Sequence, residues 1–418
     1  MISRYFRIRL PFADLHFILC ALTGRGNLHP GYWVLSCGAG CCAGMCALRA
    51  SVVLGRDVVR SGVTNSLNRP GWHLGVAALW LTLSYSSSIA AQSDAAPHDP
   101  LFASHEPLSI ILKGPFKDID KRRDKTTEYA PGSLTYDGPN GAVSIATTYR
   151  PRGNFRLDKQ TCSRAQLWLD VKKKQTSGTE FANQHKLKLV VQCRNSKSYT
   201  EYLRKEYLAY RMLNVLTDIS YRVRWVNVIY QDLNGKTLWE NPAFFIEHKK
   251  RLADRQNLLT VDDSQVSRSR LDPEQATMAA MFNYFVGNAD FSLTGSNVGS
   301  CCHNAKLFQQ DEDATYLPVV YDFDSSGLVS APYASPPDKL KLRSVRERLY
   351  RGYCVEEDVF EVVLNNFRDQ REALLAIANE PQMLSKRTAK RAVSYLEDFY
   401  QVIDNPKKLN REILEACR

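Results

Sequence analysis

Apolar and polar residues alternate over much of the first half of this chain. A period of two marks strands with one packed and one wet face. PLSIIL at 107–112 is a short apolar run. GSLTY at 132–136 and AVSIATTYR at 142–150 alternate, with Asp137-Gly138 as a turn signal between them. AQLWLDV at 165–171 alternates strictly. KLKLVVQC at 186–193 alternates Lys with Leu and then turns apolar, which predicts a strand that enters a core. Further strands are predicted at 221–230 and 243–247, joined through Asn234-Gly235.

The period then changes. Ser198 to Leu216 reads as a helix, with Ser198 and Glu201 as a capping box. Tyr199, Tyr202, Ala209, Leu213 and Leu216 share its apolar face, and Glu206 falls inside that face. Arg204, Lys205 and Arg211 are expected to point away. A second helix starts at Asp272-Pro273, runs through Met278, Met281, Phe282 and Phe285, and stops at Gly287. Helices near 356–378 and 386–403 follow. Strands first and helices later predict an α+β layout, with a sheet-rich part at 107–250 and a helical part at 251–418.

Composition places the chain among globular proteins, with 44% apolar and 24% charged residues. The net charge of +11 is uneven: residues 1–91 hold eight Lys/Arg and two Asp/Glu, which leaves +5 on 92–418. That excess is too mild to imply nucleic acid. Residues 69–91, RPGWHLGVAALWLTLSYSSSIAA, have a basic start, an apolar run and a small-residue exit. This is a secretory signal pattern, too short for a stable transmembrane anchor. Residues 1–68 then read as an upstream extension outside the mature protein, and 92–106 as a polar lead-in. The expected location is periplasmic or secreted.

Three segments concentrate polar chemistry: Gly287-Asn288-Ala289-Asp290-Phe291-Ser292, His303-Asn304-Ala305-Lys306-Leu307-Phe308, and Tyr321-Asp322-Phe323-Asp324-Ser325-Ser326-Gly327. Each follows or precedes a predicted element, where a scaffold holds side chains that stay reachable. Phosphoryl transfer needs one carboxylate at the acceptor hydroxyl, and an amide and a carboxylate on a divalent metal. It also needs a lysine on phosphate and a glutamate to fix the lysine. Asp290, Asn304 and Asp322 fit the first three roles, with Asp324 a second metal candidate; Lys188 and Glu206 fit the last two. Lys186 shares a strand face with Lys188, and Arg156 and Lys306 are further phosphate candidates. Simpler roles compete: a turn cap for Asp290, an Asx turn for Asn304, a cation loop without catalysis for Asp322 and Asp324, and a structural arginine such as Arg152 for Glu206. Arg343, Arg346, Arg348 and Arg351 form a dense set, in which Arg346 or Arg348 is a candidate contact for phosphate or an acidic substrate and helix-surface charge is the simpler account.

The order of these residues resembles that of the protein-kinase-like superfamily, and most closely its secreted spore-coat protein H branch, the CotH family. Arg152-Gly153-Asn154 in the early sheet, the passage from Lys188 to Glu206, the Asp290 turn, the Asn304 segment and Asp322-Phe323-Asp324 carry the resemblance. No G-x-G-x-x-G loop precedes Lys188; Lys113-Gly114-Pro115 is the nearest feature. The resemblance implies a divergent kinase-like fold, with a sheet-rich N-terminal lobe and a mostly helical lobe after it. It also implies ATP, Mg or Mn, and phosphorylation of a protein or small-molecule hydroxyl in the cell envelope. The alternative on the same residues is a catalytically silent envelope protein that binds a wall component or a protein.

Six cysteines lie beyond the signal, an even number that suits an oxidising compartment. Cys162 precedes one strand and Cys193 ends the next, so antiparallel neighbours would bring them together. His303 stands beside Cys301 and Cys302, but no second Cys pair supports zinc, and a disulfide is the better expectation. Cys301 or Cys302 is expected to pair with Cys354, and Cys417 with the one that remains. If the signal reading is right, N-terminal sequencing of native protein begins close to Gln92; a cytoplasmic product that retains residues 1–60 overturns it.

Overall fold

The alternating segments become seven strands that share one interior. They are β1 (Leu108–Lys113), β2 (Ala130–Gly138), β3 (Gly141–Arg152), β4 (Gln166–Val171), β5 (Lys186–Val191), β6 (Val223–Gln231) and β7 (Thr237–Ile246). Helix α1 (Phe116–Arg122) follows β1, and α2 (Lys197–Leu216) lies between β5 and β6. This computed structural model describes residues 99–123, 128–295 and 301–418. The expected upstream extension, signal peptide and start of the lead-in lie outside the described residues.

The strands form a closed barrel in the order β1-β2-β3-β4-β5-β7-β6. Neighbours are antiparallel except at the closure, where β1 runs parallel to β6 from Leu108↔Val226 to Lys113↔Gln231. This corrects the expected fold. A closed mixed barrel with helices outside it is not the sheet-rich lobe of a protein-kinase-like fold. The physical reason is closure itself: the alternation gives each strand an inner face, and Leu112, Ile145, Leu169, Leu187, Val226 and Phe245 fill one common core.

The outer face is not all wet. Val190, Val223, Trp225, Phe244 and Ile246 point outward and join a second, larger core with the helices. That is why β5 and β7 turn apolar on both faces towards their ends. α2 covers this patch, with Tyr207 against Trp225 and Phe244, and Tyr210 against Phe244. Its N-cap is Ser196 rather than Ser198, and Glu201 accepts from the Ser385 backbone N–H and hydroxyl instead of closing a capping box. Lys205, expected outside, is buried and donates to the Val329 carbonyl.

The rest of the chain builds on that second core. α3 (Lys249–Gln256), β8 (Leu259–Val261) and α4 (Pro273–Val286) lead to β9 (Ala305–Gln309) and β10 (Leu317–Val320). Strands β8, β9 and β10 form a three-stranded antiparallel sheet. Helices α5 (Glu357–Asp369), α6 (Arg371–Ala378), α7 (Lys386–Ile403) and α8 (Pro406–Leu409) close the fold. α4 is buried nearly all round, and its Phe285 meets Phe367 and Phe399. As expected, Asp272 caps it by accepting from the Gln275 N–H, and Gly287 ends it at φ +68°. A side chain at 287 would also meet the Tyr395 hydroxyl, so glycine is required there twice over. Among the described residues no helix is long and apolar enough to cross a membrane.

Among the described residues three disulfides are present. β4 and β5 are antiparallel neighbours, Leu167 opposite Leu189, and Cys162 is bonded to Cys193 with Cα atoms 4.6 Å apart. The other expected pairings are corrected: Cys301 bonds Cys302, and Cys354 bonds Cys417. The Cys354 backbone N–H also donates to the Arg418 carbonyl, so the last residues return directly to this point. Replacing Cys162 and Cys193 by alanine should lower stability by about 2–5 kcal/mol in denaturant unfolding. An unchanged midpoint, or non-reducing peptide maps that link either residue elsewhere, contradicts the pairing.

Candidate functional site

Strand pairing brings the polar segments together. Because β9 and β10 are antiparallel, with Ala305 opposite Val320, the chain enters β9 and leaves β10 at the same end. His303 and Asn304 therefore lie beside Tyr321 and Asp322, and the Tyr321 N–H donates to the Asn304 carbonyl at 3.0 Å. Asn304 and Asp322 both adopt left-handed backbone, φ 51° and 65°. Asn and Asp tolerate that region better than other residues with side chains, and its use marks a constrained corner. A short bridge between Ser292 and His303 then adds the loop after α4.

That loop is held from inside. Asn288 is buried, donates to Asn283 Oδ1 at 2.9 Å and accepts from the Asp290 N–H at 3.1 Å. Asp290 is thereby presented to its partners. His303 Nε2 lies 2.7 Å from its Oδ1, and Asn304 Nδ2 donates to its Oδ2 at 3.2 Å and to its backbone carbonyl at 2.7 Å. The hydrogen bond to Asp290 raises the His303 pKa, against the opposing effect of burial. Asp290 and Asn304 thus meet although fourteen positions separate them.

Arg156 organises the second half of the site. It lies in the turn after β3 and is buried. Its Nη atoms reach both Glu206 carboxylate oxygens at 3.3 Å, its Nη2 reaches Asp322 Oδ1 at 3.1 Å, and its Nε reaches Asp324 Oδ2 at 3.1 Å. Arg156 is held well above the ordinary arginine range: burial opposes its charge, but Asp324, Glu206, Tyr333 and Asp322 together outweigh burial. Burial pushes Glu206 up to about 7, while Arg156 pulls it down. Asp324 is pushed up to about 6 by burial, again against Arg156. Glu206 therefore holds Arg156, not Lys188, and four of the five Arg156 N–H donors are spent on carboxylates.

Lys188 sits on the outer face of β5, across from Trp168 and Ile246. Its ammonium lies 4.5 Å from the centroid of the Tyr321 ring. Among the described residues no carboxylate comes within 4.0 Å of Lys188 or of Arg152, and the buried Arg152 Nε finds no acceptor. Burial, then the Arg152 charge, lower Lys188 to about 7, with Asp322 opposing. Two cations thus stand unpaired beside a carboxylate that is 38% exposed. Lys306, on β9, is half-buried, and burial and Lys249 lower its pKa. Lys186 is exposed on the same strand, which separates it from Lys188.

The donor chemistry offers a divalent ion little. Both Asp324 oxygens are engaged, one by Arg156 and one by the Ser325 hydroxyl. Asp322 and the Asn304 amide oxygen remain, and magnesium accepts such a sparse set when phosphates complete it. Among the described residues no group of three His, Cys, Asp or Glu side chains is arranged to hold a metal.

Two corrections concern arginines. Arg348 donates to the Tyr284 and Phe285 carbonyls near the end of α4, and Arg346 stacks on Tyr395 at 4.8 Å. Arg351, from the same cluster, binds the Ala289 and Phe291 carbonyls on both sides of Asp290. His303 was read only as a zinc alternative. Its role on Asp290 depends on the Ser292–His303 bridge, which leaves no local sequence signal.

No protein-family model and no curated protein matches the chain.

The raised Glu206 carboxyl has a consequence for stability. The folded protein binds its proton more tightly than the unfolded chain does, so this contribution is present below about pH 4.5 and is lost as pH rises through about 7. Glu206→Gln should remove about 1–3 kcal/mol of that fall. Urea unfolding from pH 4.5 to 7.5 checks it, and parallel curves for the two proteins contradict it.

Proposed function

We propose that this protein is an exported phosphotransferase that moves the γ-phosphate of ATP to a hydroxyl on a protein or small molecule in the cell envelope. The barrel lends no support to this reading; the side chains do. The observation that carries it is the unpaired pair Lys188 and Arg152 beside Asp322, next to the corner that holds Asp290 and Asn304. A desolvated cation without a counter-charge is costly, and an anionic ligand removes that cost. Two such cations suit the several oxygens of a polyphosphate.

Each residue then has a task. Lys188 and Arg152 neutralise phosphate charge. Asp290, oriented by His303 and Asn304, receives the acceptor hydroxyl and takes its proton. Glu206 and Asp324 hold Arg156, which in turn positions Asp322. Asp322 and the Asn304 oxygen would hold Mg or Mn; when bound, such an ion supplies charge neutralisation between phosphates. Disulfides between Cys162 and Cys193 and between Cys354 and Cys417 fit an oxidising compartment outside the cytosol. The likeness to the CotH family rests on the same residues, without its expected fold.

Arg156 favours a second reading. Its charge already compensates Asp322 and Asp324, which suits a silent envelope protein that binds an anionic partner without transferring phosphate.

Titration of the purified protein with ATP and magnesium separates the two. Saturable binding that weakens about tenfold or more in Lys188→Met supports the site. Transfer that falls by about 10²–10⁴ in Asp290→Asn, at similar nucleotide affinity, supports the base. Binding without transfer favours the silent reading. Neither binding at millimolar ATP nor transfer overturns the phosphotransferase.

A further inference from the structure

A polar cleft opens one residue beyond Asp290. It has a volume of about 160 Å³ and is lined by Phe291, Ser292, Thr294, Arg351, Tyr353 and Arg418, with Leu293 beneath. Among the described residues no acidic side chain lines it. Arg351 is fixed by the Ala289 and Phe291 carbonyls through one terminal nitrogen, while its buried Nε has no acceptor. Arg418 donates to the Arg351 carbonyl at 3.0 Å and is held there by the neighbouring Cys354–Cys417 disulfide. Arg268 stacks on Tyr353 at 5.1 Å, and the Tyr353 hydroxyl lies 3.1 Å from the Thr294 hydroxyl. Burial and the Arg418 charge both disfavour the Arg351 cation, and Asp290 compensates in part.

Two guanidinium groups and the hydroxyls of Ser292, Thr294 and Tyr353 make a site for an anion. We propose that this cleft binds an anionic group, a carboxylate or a phosphate ester, on the acceptor substrate. A group seated there lies one residue along the chain from Asp290. The acceptor would therefore carry its hydroxyl close to its own negative charge, as in an acidic peptide or a phosphorylated small molecule. This assignment of an acceptor rests on the phosphotransferase reading; the anion site itself does not.

The test uses calorimetric titration with inorganic phosphate and with glutarate. It compares the full-length protein with Lys188→Met, Arg418→Gln and Arg351→Gln. Arg418 is exposed, so its variant should fold even if Arg351→Gln does not. Binding that survives Lys188→Met and weakens about tenfold or more in Arg418→Gln is expected. Preference for phosphate assigns a phosphorylated acceptor, and preference for glutarate a carboxylated one. Binding lost in Lys188→Met and kept in Arg418→Gln puts the anion at the nucleotide site and overturns the proposal. Saturable binding of neither probe overturns it as well. If ATP fails to bind the same sample while phosphate still depends on Arg418, the phosphotransferase reading falls and the anion cleft stands.

Discussion

One guanidinium connects the parts of this molecule that matter for chemistry. Arg156 comes from the turn after a barrel strand, Glu206 from the helix that covers the barrel, and Asp322 and Asp324 from the loop after β10. The three carboxylates repel one another, and two of them are almost fully buried. Without a cation among them they could not remain both buried and charged. With Arg156 in place, the barrel, α2 and the β9–β10 corner are held in one arrangement. The geometry of Asp322 relative to Lys188 follows from that arrangement.

The barrel contributes position more than chemistry. Its interior is filled with aliphatic and aromatic side chains. The outer face of β5, β7 and β6 does the rest. Most of it is buried under α2, and Lys188 emerges where that cover gives way to Tyr321. A lysine so placed loses hydration without gaining a counter-ion, which is why its pKa falls to about 7. The Asp290 corner is built by different means, through left-handed turns and a buried Asn283–Asn288 pair. The site is thus a meeting of two separately stabilised elements.

Much of the local structure was legible in the residues. Alternation located the barrel strands, and Asn234-Gly235 the turn between β6 and β7, with Gly235 at φ +86°. Asp272 and Gly287 bounded α4 as expected, because caps and left-handed glycines are chosen by a few adjacent residues. Cys162 and Cys193 could be paired because both flank neighbouring strands of one alternating segment. Asp290, Asn304 and Asp322 could be singled out because polar residues at element ends stand out against apolar runs. The misplaced cap at Ser198 shows the limit of this: the helix starts after Ser196, two residues earlier, whose side chain makes no capping hydrogen bond.

What only the tertiary structure decided is every pairing between distant segments. No period along β1 or β6 says that they lie parallel and close a barrel, so an open kinase-like sheet was an equally consistent reading. Glu206 was recognised as a buried carboxylate in need of a partner, but Lys188, Arg152 and Arg156 are all basic and all precede it. Packing alone selected Arg156. The cysteines near 301 and 354 were assigned across the chain, yet the bonds formed within one adjacent pair and with the C-terminal segment. Arg351 was one of four arginines in a short stretch until the loop after α4 folded onto it. Periodicity and turn chemistry are short-range properties that the sequence carries by itself. Closure, charge pairing and cleft formation depend on which surfaces meet, and they exist only once the chain has folded.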